Sequence, residues 1–147
     1  MEEKFMKEAL KQAKKAASIG ETPIGAVIVR DGEIIARGYN KRETKKNALL
    51  HAEIIAINKA CKKLGGWRLP RCEMYVTLEP CAMCAGALVN ARLGRLVFGA
   101  FEPRTGCCGS VFDLLDHAFL HTVPAVGGVL EEECAAVLQT FFARKRA

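Results

Sequence analysis

The segment EMYVTLEPCAMCAGALVNARLGRLVFGA, residues 73–100, decides the fold class. Residues 73–78 and 95–100 are short runs rich in β-forming side chains. Between them, residues 80–91 have the composition of a helix and begin with Pro80, a residue favoured in the first helical turn. A strand, a helix and a strand in this order predict two parallel strands joined by a right-handed crossover.

The chain on both sides of this segment adds further elements. The i, i+3, i+4 spacing of apolar residues predicts a helix over residues 2–18. Two β-rich runs, 25–30 and 33–38, flank Asp31-Gly32, a strong hairpin signal that predicts an antiparallel pair. The remaining patterns predict a helix over 51–65, a strand near 121–126 and a last helix over 131–145. We therefore expect an α/β fold with a mixed central sheet of about five strands and helices on both faces.

Length and composition favour one globular domain over residues 1–147. Half of the residues are hydrophobic, so the chain can form a core, but no apolar run approaches the ~20 residues of a membrane span. The N-terminus has no apolar segment of a secretion signal, so the expected location is the cytoplasm, away from any membrane. The formal net charge of +6 favours an anionic partner such as nucleic acid.

Two short motifs carry the chemistry: His51-Ala-Glu53 at the head of one predicted helix, and Cys81-x-x-Cys84 at the head of another. Cysteines three apart in a helix share a face, so their thiolates can bind one metal ion. His51 is the candidate third ligand. Three protein ligands leave one coordination position open, and an open zinc site activates bound water as a nucleophile.

Glu53 is the candidate acid/base group beside this site. Positions i and i+2 of a helix project about 200° apart, so His51 and Glu53 converge only if the end of the helix faces the site. A carboxylate that stands beside the metal without binding it can take a proton from water and return it to a substrate.

Other interpretations of these residues remain open at this stage. A lone Cys-x-x-Cys motif is often a redox pair, as in a thiol oxidoreductase. A structural zinc would need a fourth ligand, for which Cys107 or Cys108 is available. A non-catalytic, zinc-stabilised RNA-binding module would have no use for Glu53 as a proton carrier.

The combined pattern His-x-Glu followed by Pro-Cys-x-x-Cys is the signature of zinc-dependent nucleobase deaminases. The sequence resembles the cytidine/deoxycytidylate deaminase superfamily, and more closely the bacterial tRNA-specific adenosine deaminases. The similarity covers most of the chain and includes TPIGAVIV (22–29), HAE (51–53), TLEPCAMCAGA (77–87), TGCCGS (105–110) and EEECAAVLQTFF (131–142).

This resemblance implies a three-layer α/β/α cytidine-deaminase-like fold and hydrolytic deamination of adenosine to inosine at the wobble position of tRNA. It implies one Zn²⁺ per subunit on His51, Cys81 and Cys84, with Glu53 as the proton shuttle. Asn40 matches the asparagine that hydrogen-bonds the target base; its plain alternative is a turn residue. The family works as a homodimer that binds the anticodon loop with both subunits. The nearest alternative is a deaminase of a free base, nucleoside or nucleotide, of the guanine or cytosine type.

Two positions depart from the family pattern. Related enzymes read Asp/Asn-Pro-Thr-Ala before His-Ala-Glu, whereas residues 47–50 are Asn-Ala-Leu-Leu, and the loss of proline is expected to loosen the approach to the helix. After the FGA strand, Glu102 stands where the family often has an aspartate near the substrate ribose. Both changes concern substrate identity. The basic residues that are candidates for phosphate contacts are Lys41, Arg42, Lys45, Lys46, Arg104, Arg144, Lys145 and Arg146.

Overall fold

The computed structural model describes residues 2–117 and 119–146. Its elements in chain order are α1 (Glu2–Ser18), β1 (Gly25–Arg30), β2 (Glu33–Tyr39), α2 (Ala52–Leu64), β3 (Cys72–Leu78), α3 (Ala82–Asn90), β4 (Arg95–Ala100), a 3-10 turn (Leu114–Asp116), β5 (Ala125–Val126) and α4 (Glu131–Arg146).

The five strands form one mixed sheet in the order β2-β1-β3-β4-β5. β1 is antiparallel to both β2 and β3, whereas β3, β4 and β5 run parallel. Asp31 and Gly32 connect β1 to β2 with φ angles of 52° and 80°, as the hairpin motif requires. The predicted α/β class with a mixed sheet of about five strands is confirmed.

Helices cover both faces of the sheet because successive strand residues point to opposite sides. Met74 and Val76 of β3 pack with Ala56 of α2 and Leu88 of α3. On the other face, Tyr75 packs with residues of α1 and with Cys134 of α4. The two cores give the three layers α/β/α.

The structure corrects two of the predicted elements. Pro80 is outside the helix, which begins at Ala82 after the N-cap residue Cys81; the Pro80 carbonyl instead accepts a hydrogen bond of 2.9 Å from the Cys107 N–H. The strand near 121–126 contains two residues only. Pro124 has no N–H to give to the strand ladder, so regular pairing with β4 starts after it.

Within residues 2–117 and 119–146, no helix combines the length and the apolar character that crossing a bilayer requires.

Candidate active site

Two helix N-termini meet at the carboxyl end of β3. His51 is the N-cap of α2, with an extended backbone (φ −73°, ψ 157°), and its carbonyl accepts the Ile55 N–H at 3.1 Å. Cys81 is the N-cap of α3 and has a similarly extended backbone. Cys81 therefore lies just before the helix and not inside it, as the sequence pattern had predicted for both cysteines. Its Sγ nevertheless lies within 4.8 Å of Cys84 Sγ.

Gly38 allows α2 to lie close to the sheet. A Cβ atom at position 38 would lie 2.5 Å from the carbonyl oxygen of Ala52, the first residue of α2. A larger residue at this position would push the start of α2 away from β2, and His51 with it. The position of the imidazole thus depends on a glycine thirteen residues earlier in the chain.

His51, Cys81 and Cys84 form the one group of three or more metal-binding side chains within the part of the chain that the structure describes, with ligand atoms all within 4.8 Å of one another. His51 Nδ1 lies 3.7 Å from Cys81 Sγ and 3.6 Å from Cys84 Sγ. A tetrahedral zinc ion with ordinary Zn–S and Zn–N bonds separates such atoms by about 3.6 Å. The donor set and its spacing therefore fit a zinc ion.

Hydrogen bonds among these three side chains shift the pKa of each of them. The hydrogen bond from the Cys84 thiol, together with one from His51, lowers the pKa of Cys81 despite its partial burial. The same Cys84–Cys81 hydrogen bond, with burial, raises the pKa of Cys84. Hydrogen bonding to Cys81 raises the pKa of His51. Thiolate character is thus concentrated on Cys81, and a bound dication would extend it to Cys84, since metal-bound thiols are deprotonated.

Glu53 lies in the first turn of α2 and is only 4% exposed. Burial raises the pKa of Glu53 to about 7, although its own backbone N–H and the neighbouring His51 oppose this shift. It is not part of the His-Cys-Cys group. A buried carboxyl group next to a set of metal-binding side chains, with a pKa near neutrality, is able both to accept and to donate a proton.

These side chains open into a cavity of about 430 Å³. His51, Glu53 and Cys81 form one part of its wall. Three other segments form most of the remaining wall and contribute Asn40 and Arg42, then Phe101, Glu102, Arg104 and Thr105, and finally Ala135, Leu138, Gln139 and Phe142 of α4. The remaining lining residues are Thr22, Ile24, Leu78, Glu79 and Ala100. The cavity has the size of a small-ligand site with polar groups at one end.

Comparisons with known proteins agree with this geometry. The family model for MafB19-like deaminases matches residues 1–146. A curated tRNA-specific adenosine deaminase of Bacillus subtilis (strain 168) is 54% identical over 146 residues, which cover 99% of this chain and 91% of the relative. The chain belongs to this deaminase family. The resemblance inferred from its motifs is thereby confirmed.

Solved structures of deaminases share the fold. A structure from a study of A-to-I editing by tRNA:A34 deaminases at the wobble position of transfer RNA has a TM-score of 0.87 and 43% identity, and the match covers 91% of this chain and 98% of that one. A guanine deaminase from Bacillus subtilis has a TM-score of 0.67 and 36% identity, covering 99% and 94%. The cytidine-deaminase-like fold expected from the resemblance is confirmed.

In this deaminase Asn40 is buried, at 4% exposure, and lines the cavity. Its Oδ1 accepts the Arg42 N–H at 3.1 Å and its Nδ2 donates to the Thr22 carbonyl at 3.3 Å. The first bond is the one expected if Asn40 were only a turn residue rather than a residue that binds the target base. Both ends of the amide are thus anchored, which fixes the orientation of the side chain at the pocket wall.

Glu102 also lines the cavity, but its carboxylate is directed to its own loop. Its Oε1 accepts the Arg104 N–H at 3.0 Å and pairs with Arg104 Nε at 3.4 Å. Arg104 is mostly exposed, so this pair contributes little to stability. The Glu102 carboxylate is therefore engaged by an arginine of its own loop, at a residue that lines the cavity.

The segment before His51 is held in place without the family's proline. Asn47 Oδ1 accepts the Leu49 N–H at 2.9 Å, and the Leu50 carbonyl accepts the Lys41 N–H at 3.0 Å. Glu21, which is fully buried, accepts the Glu43 N–H at 3.1 Å and also the Thr44 N–H. The basic stretch 41–46 is therefore attached to the body of the protein rather than loose.

The residues of α4 at the cavity were not identified as site residues from the sequence. Ala135, Leu138, Gln139 and Phe142 have the spacing i, i+3, i+4, i+7 of one helical face. That spacing is visible in the sequence, but it is also the ordinary pattern of core packing. Only the position of α4 beside the carboxyl end of β4 turns this face into a pocket wall.

Cys107 and Cys108 do not belong to the group of metal-binding side chains formed by His51, Cys81 and Cys84. Cys107 Sγ is instead directed to the Thr105 carbonyl at 3.6 Å. Burial raises the pKa of Cys108 and of Cys107, which disfavours their thiolate forms. A closed structural site with four protein ligands is therefore not formed by these residues.

Proposed function

We propose that this chain is a zinc-dependent deaminase that converts adenosine to inosine at the wobble position of tRNA. The observation that carries the proposal is the placement of buried Glu53 beside the group of His51, Cys81 and Cys84, with His51, Glu53 and Cys81 lining one open cavity. We expect one domain over residues 1–147 to contain the whole activity.

His51, Cys81 and Cys84 would hold one Zn²⁺ per subunit, with no fourth protein ligand. A zinc ion bound in this way would lower the pKa of coordinated water to about 7 and make that water a nucleophile. This assignment is supported by the donor types and by Nδ1–Sγ distances of 3.6 and 3.7 Å.

Glu53 would carry the protons of the reaction. Its carboxylate takes a proton from the attacking water and delivers it to N1 of adenine, which makes C6 more electrophilic. Once the water oxygen has bonded to C6, Glu53 takes the second proton from the resulting C6 hydroxyl and gives it to the amine. The C6–N bond then breaks, ammonia leaves, and inosine keeps the C6 carbonyl and the N1 proton. The burial of Glu53 keeps solvent from competing for these protons.

Several features of the rim favour an RNA substrate over a free base. Phe101 and Phe142 are 47% and 39% exposed and line the cavity, where an unstacked base could stack on aromatic rings. Arg42 and Arg104 line the same cavity and suit phosphate contacts. Single-stranded loops present an unstacked base at the least cost, and the anticodon loop is such a loop.

A second candidate is deamination of a free purine or pyrimidine base, nucleoside or nucleotide. The specific observation in its favour is the guanine deaminase of Bacillus subtilis, which is 36% identical over nearly the whole chain. An enzyme that deaminates a free base is expected to enclose that base in its pocket. The exposure of Phe101 and Phe142 at the cavity of this chain therefore argues against the second candidate.

The deciding experiment incubates purified, zinc-analysed protein with an anticodon stem-loop that carries adenosine at the wobble position. Guanine, cytosine and cytidine are tested in parallel, and inosine and ammonia are measured. Inosine in the stem-loop alone supports the proposal, whereas ammonia from guanine alone supports the second candidate. Stoichiometric zinc with no product from any substrate would instead support a binding module, and absence of zinc a thiol oxidoreductase.

The salt dependence of RNA binding gives an independent test. Each phosphate contact to single-stranded RNA adds about 0.7 to the slope of log affinity against log salt concentration. Substituting Lys45 and Lys46 with alanine should reduce this slope, whereas substituting Lys62 and Lys63, at the C-terminal end of α2, should not. A slope near zero in the wild type would contradict an RNA substrate.

We also propose that the enzyme acts as a homodimer in the cytoplasm, where tRNA is found. Exposed apolar side chains support a contact between subunits, because patches of this kind are usually covered in the assembled protein. They are Val111, Phe112, Phe119 and Leu120, the last of which is 94% exposed. Analytical ultracentrifugation checks the dimer: a monomer at the concentrations of the activity assay would contradict it.

A further inference from the structure

The side chain of Glu79 is almost fully buried, at 2% exposure, yet it does not belong to the metal-binding group of His51, Cys81 and Cys84. It follows β3 directly, and its N–H bonds the Ala100 carbonyl at the end of β4 at 2.9 Å. Its backbone is thus fixed to the edge of the sheet, where ligand sites of open α/β sheets form.

All hydrogen bonds that the structure gives to this carboxylate come from a single loop, residues 101–111. Oε1 accepts the Glu102 N–H at 3.0 Å and the Ser110 hydroxyl. Oε2 accepts the N–H groups of Cys108 and Ser110, both at 3.0 Å. An ionised carboxylate has about four lone-pair sites, so these donors use its whole accepting capacity.

The loop wraps closely around this carboxylate. A Cβ atom at Gly106 would lie 2.4 Å from Cδ of Glu79 and 2.6 Å from the Glu102 carbonyl oxygen. Only glycine fits at this position, because any other residue would displace either the carboxylate or the loop. Glu79 is therefore the centre around which the loop is built.

The same loop forms one wall of the cavity. It is lined by Phe101, Glu102, Arg104 and Thr105 of this loop. Hydrogen bonds tie the loop to Glu79 within this stretch, at Glu102, and after it, at Cys108 and Ser110. Glu79 itself also lines the cavity, whereas Ser110 does not. Because donors from the loop use the whole accepting capacity of the Glu79 carboxylate, a change at Glu79 would reach the substrate through the position of this wall.

We propose that Glu79 is a positioning residue, whose buried carboxylate holds the 101–111 loop as the wall that binds the substrate. It determines substrate affinity without contacting the reacting atoms. This inference rests on the proposed function, since the wall binds a substrate only if the cavity is the deaminase site. The main rival is an effect on Cys81, which lies two residues further along the chain.

The test compares Glu79→Gln with Glu73→Gln, the same change on the strand β3 at the end away from the cavity. The glutamine amide places an N–H donor where the loop offers only donors, so one end of the loop should detach. Ser110→Ala removes the hydroxyl donor and leaves the backbone N–H groups. It should give a smaller effect in the same direction, and it serves if Glu79→Gln does not fold.

Three quantities are measured on each variant: zinc per chain, amide hydrogen exchange over residues 101–111, and KM and kcat on the stem-loop. For Glu79→Gln we expect unchanged zinc, faster exchange confined to the loop, and a KM raised about tenfold with kcat within about threefold of the wild type. Glu73→Gln should leave all three near the wild-type values.

Loss of zinc in Glu79→Gln would overturn the proposal in favour of an effect on Cys81. Unchanged exchange, or faster exchange with an unchanged KM, would also overturn it. If the wild type forms no inosine but deaminates guanine, the proposed tRNA substrate fails, while the same KM comparison on guanine still decides the role of Glu79.

Discussion

The metal corner and the pocket wall of this deaminase are built in different ways. The corner consists of His51, Glu53, Cys81 and Cys84, which come from two short motifs at the starts of α2 and α3. Most of the wall comes from three segments far apart in the sequence: residues 40–42, residues 101–105 and α4. In the proposed function, the reacting groups therefore lie at or near the N-termini of two helices, and the substrate contacts come from loops and one helix face. Substitutions in the two regions should therefore affect different kinetic quantities.

The largest effect is expected at the metal ligands. Cys84→Ala should abolish zinc binding and deaminase activity, because two ligands do not retain the ion in competition with water. Elemental analysis and the inosine assay measure both. Cys72→Ala, a change at an equally buried cysteine outside the cluster, is the control and should keep both. Full zinc occupancy in Cys84→Ala would contradict the ligand assignment.

The next largest effect is expected at Glu53. Glu53→Gln keeps the size of the side chain but cannot carry a proton, so kcat should fall by about 10²–10⁴-fold. Zinc content should remain at the wild-type value, because Glu53 is not in the ligand group. Wild-type turnover in a zinc-loaded Glu53→Gln enzyme would exclude the role as proton shuttle.

A smaller effect is expected at the pocket wall. Asn40→Ala removes a buried, oriented amide, and kcat/KM should fall by about tenfold or more, since a lost hydrogen bond to a base is worth about 1–2 kcal/mol. Asn47→Ala removes a comparable turn bond at an exposed position and provides the matched control. Equal effects of the two substitutions would show that Asn40 acts only as a turn residue.

The smallest effect on catalysis is expected at Glu21, where a substitution should mainly change the stability of the fold. Burial opposes its ionisation, but hydrogen bonds from Thr44 and Glu43 and the charge of Arg42 outweigh this and lower the pKa of Glu21. Because the folded pKa is the lower one, the stabilisation is present above the unfolded pKa of about 4.3 and is lost as the pH falls through the folded value.

Glu21→Gln should therefore reduce the free energy of unfolding by about 1–2 kcal/mol at neutral pH. The difference from the wild type should shrink in acid below the unfolded pKa, as measured by urea unfolding. Glu33→Gln, at the exposed start of β2, should show no comparable difference. A difference for Glu21→Gln that does not change with pH would contradict the assignment of its cause.

The sequence predicted most elements because each has local signals. The helix predicted over 51–65 is α2 from Ala52 to Leu64, ended by Gly65 with a φ of 74°. The hairpin at Asp31-Gly32 is present, with both residues in the left-handed region. The predicted helix start at Pro80 was wrong, because the Pro80 carbonyl instead accepts a hydrogen bond from the distant Cys107. The strand predicted near 121–126 is present but contains only Ala125 and Val126, since Pro124 has no N–H for the ladder.

The sequence by itself determined the family, the α/β class and the candidates for the metal corner, because these depend on residue types at short, fixed spacings. Only the tertiary structure decided that α4 forms part of the pocket and that Glu79 and Glu21 hold the loops around it. Those contacts join residues that are tens of positions apart, and their geometry follows from how the layers pack on the sheet. No local pattern in the chain records such distances.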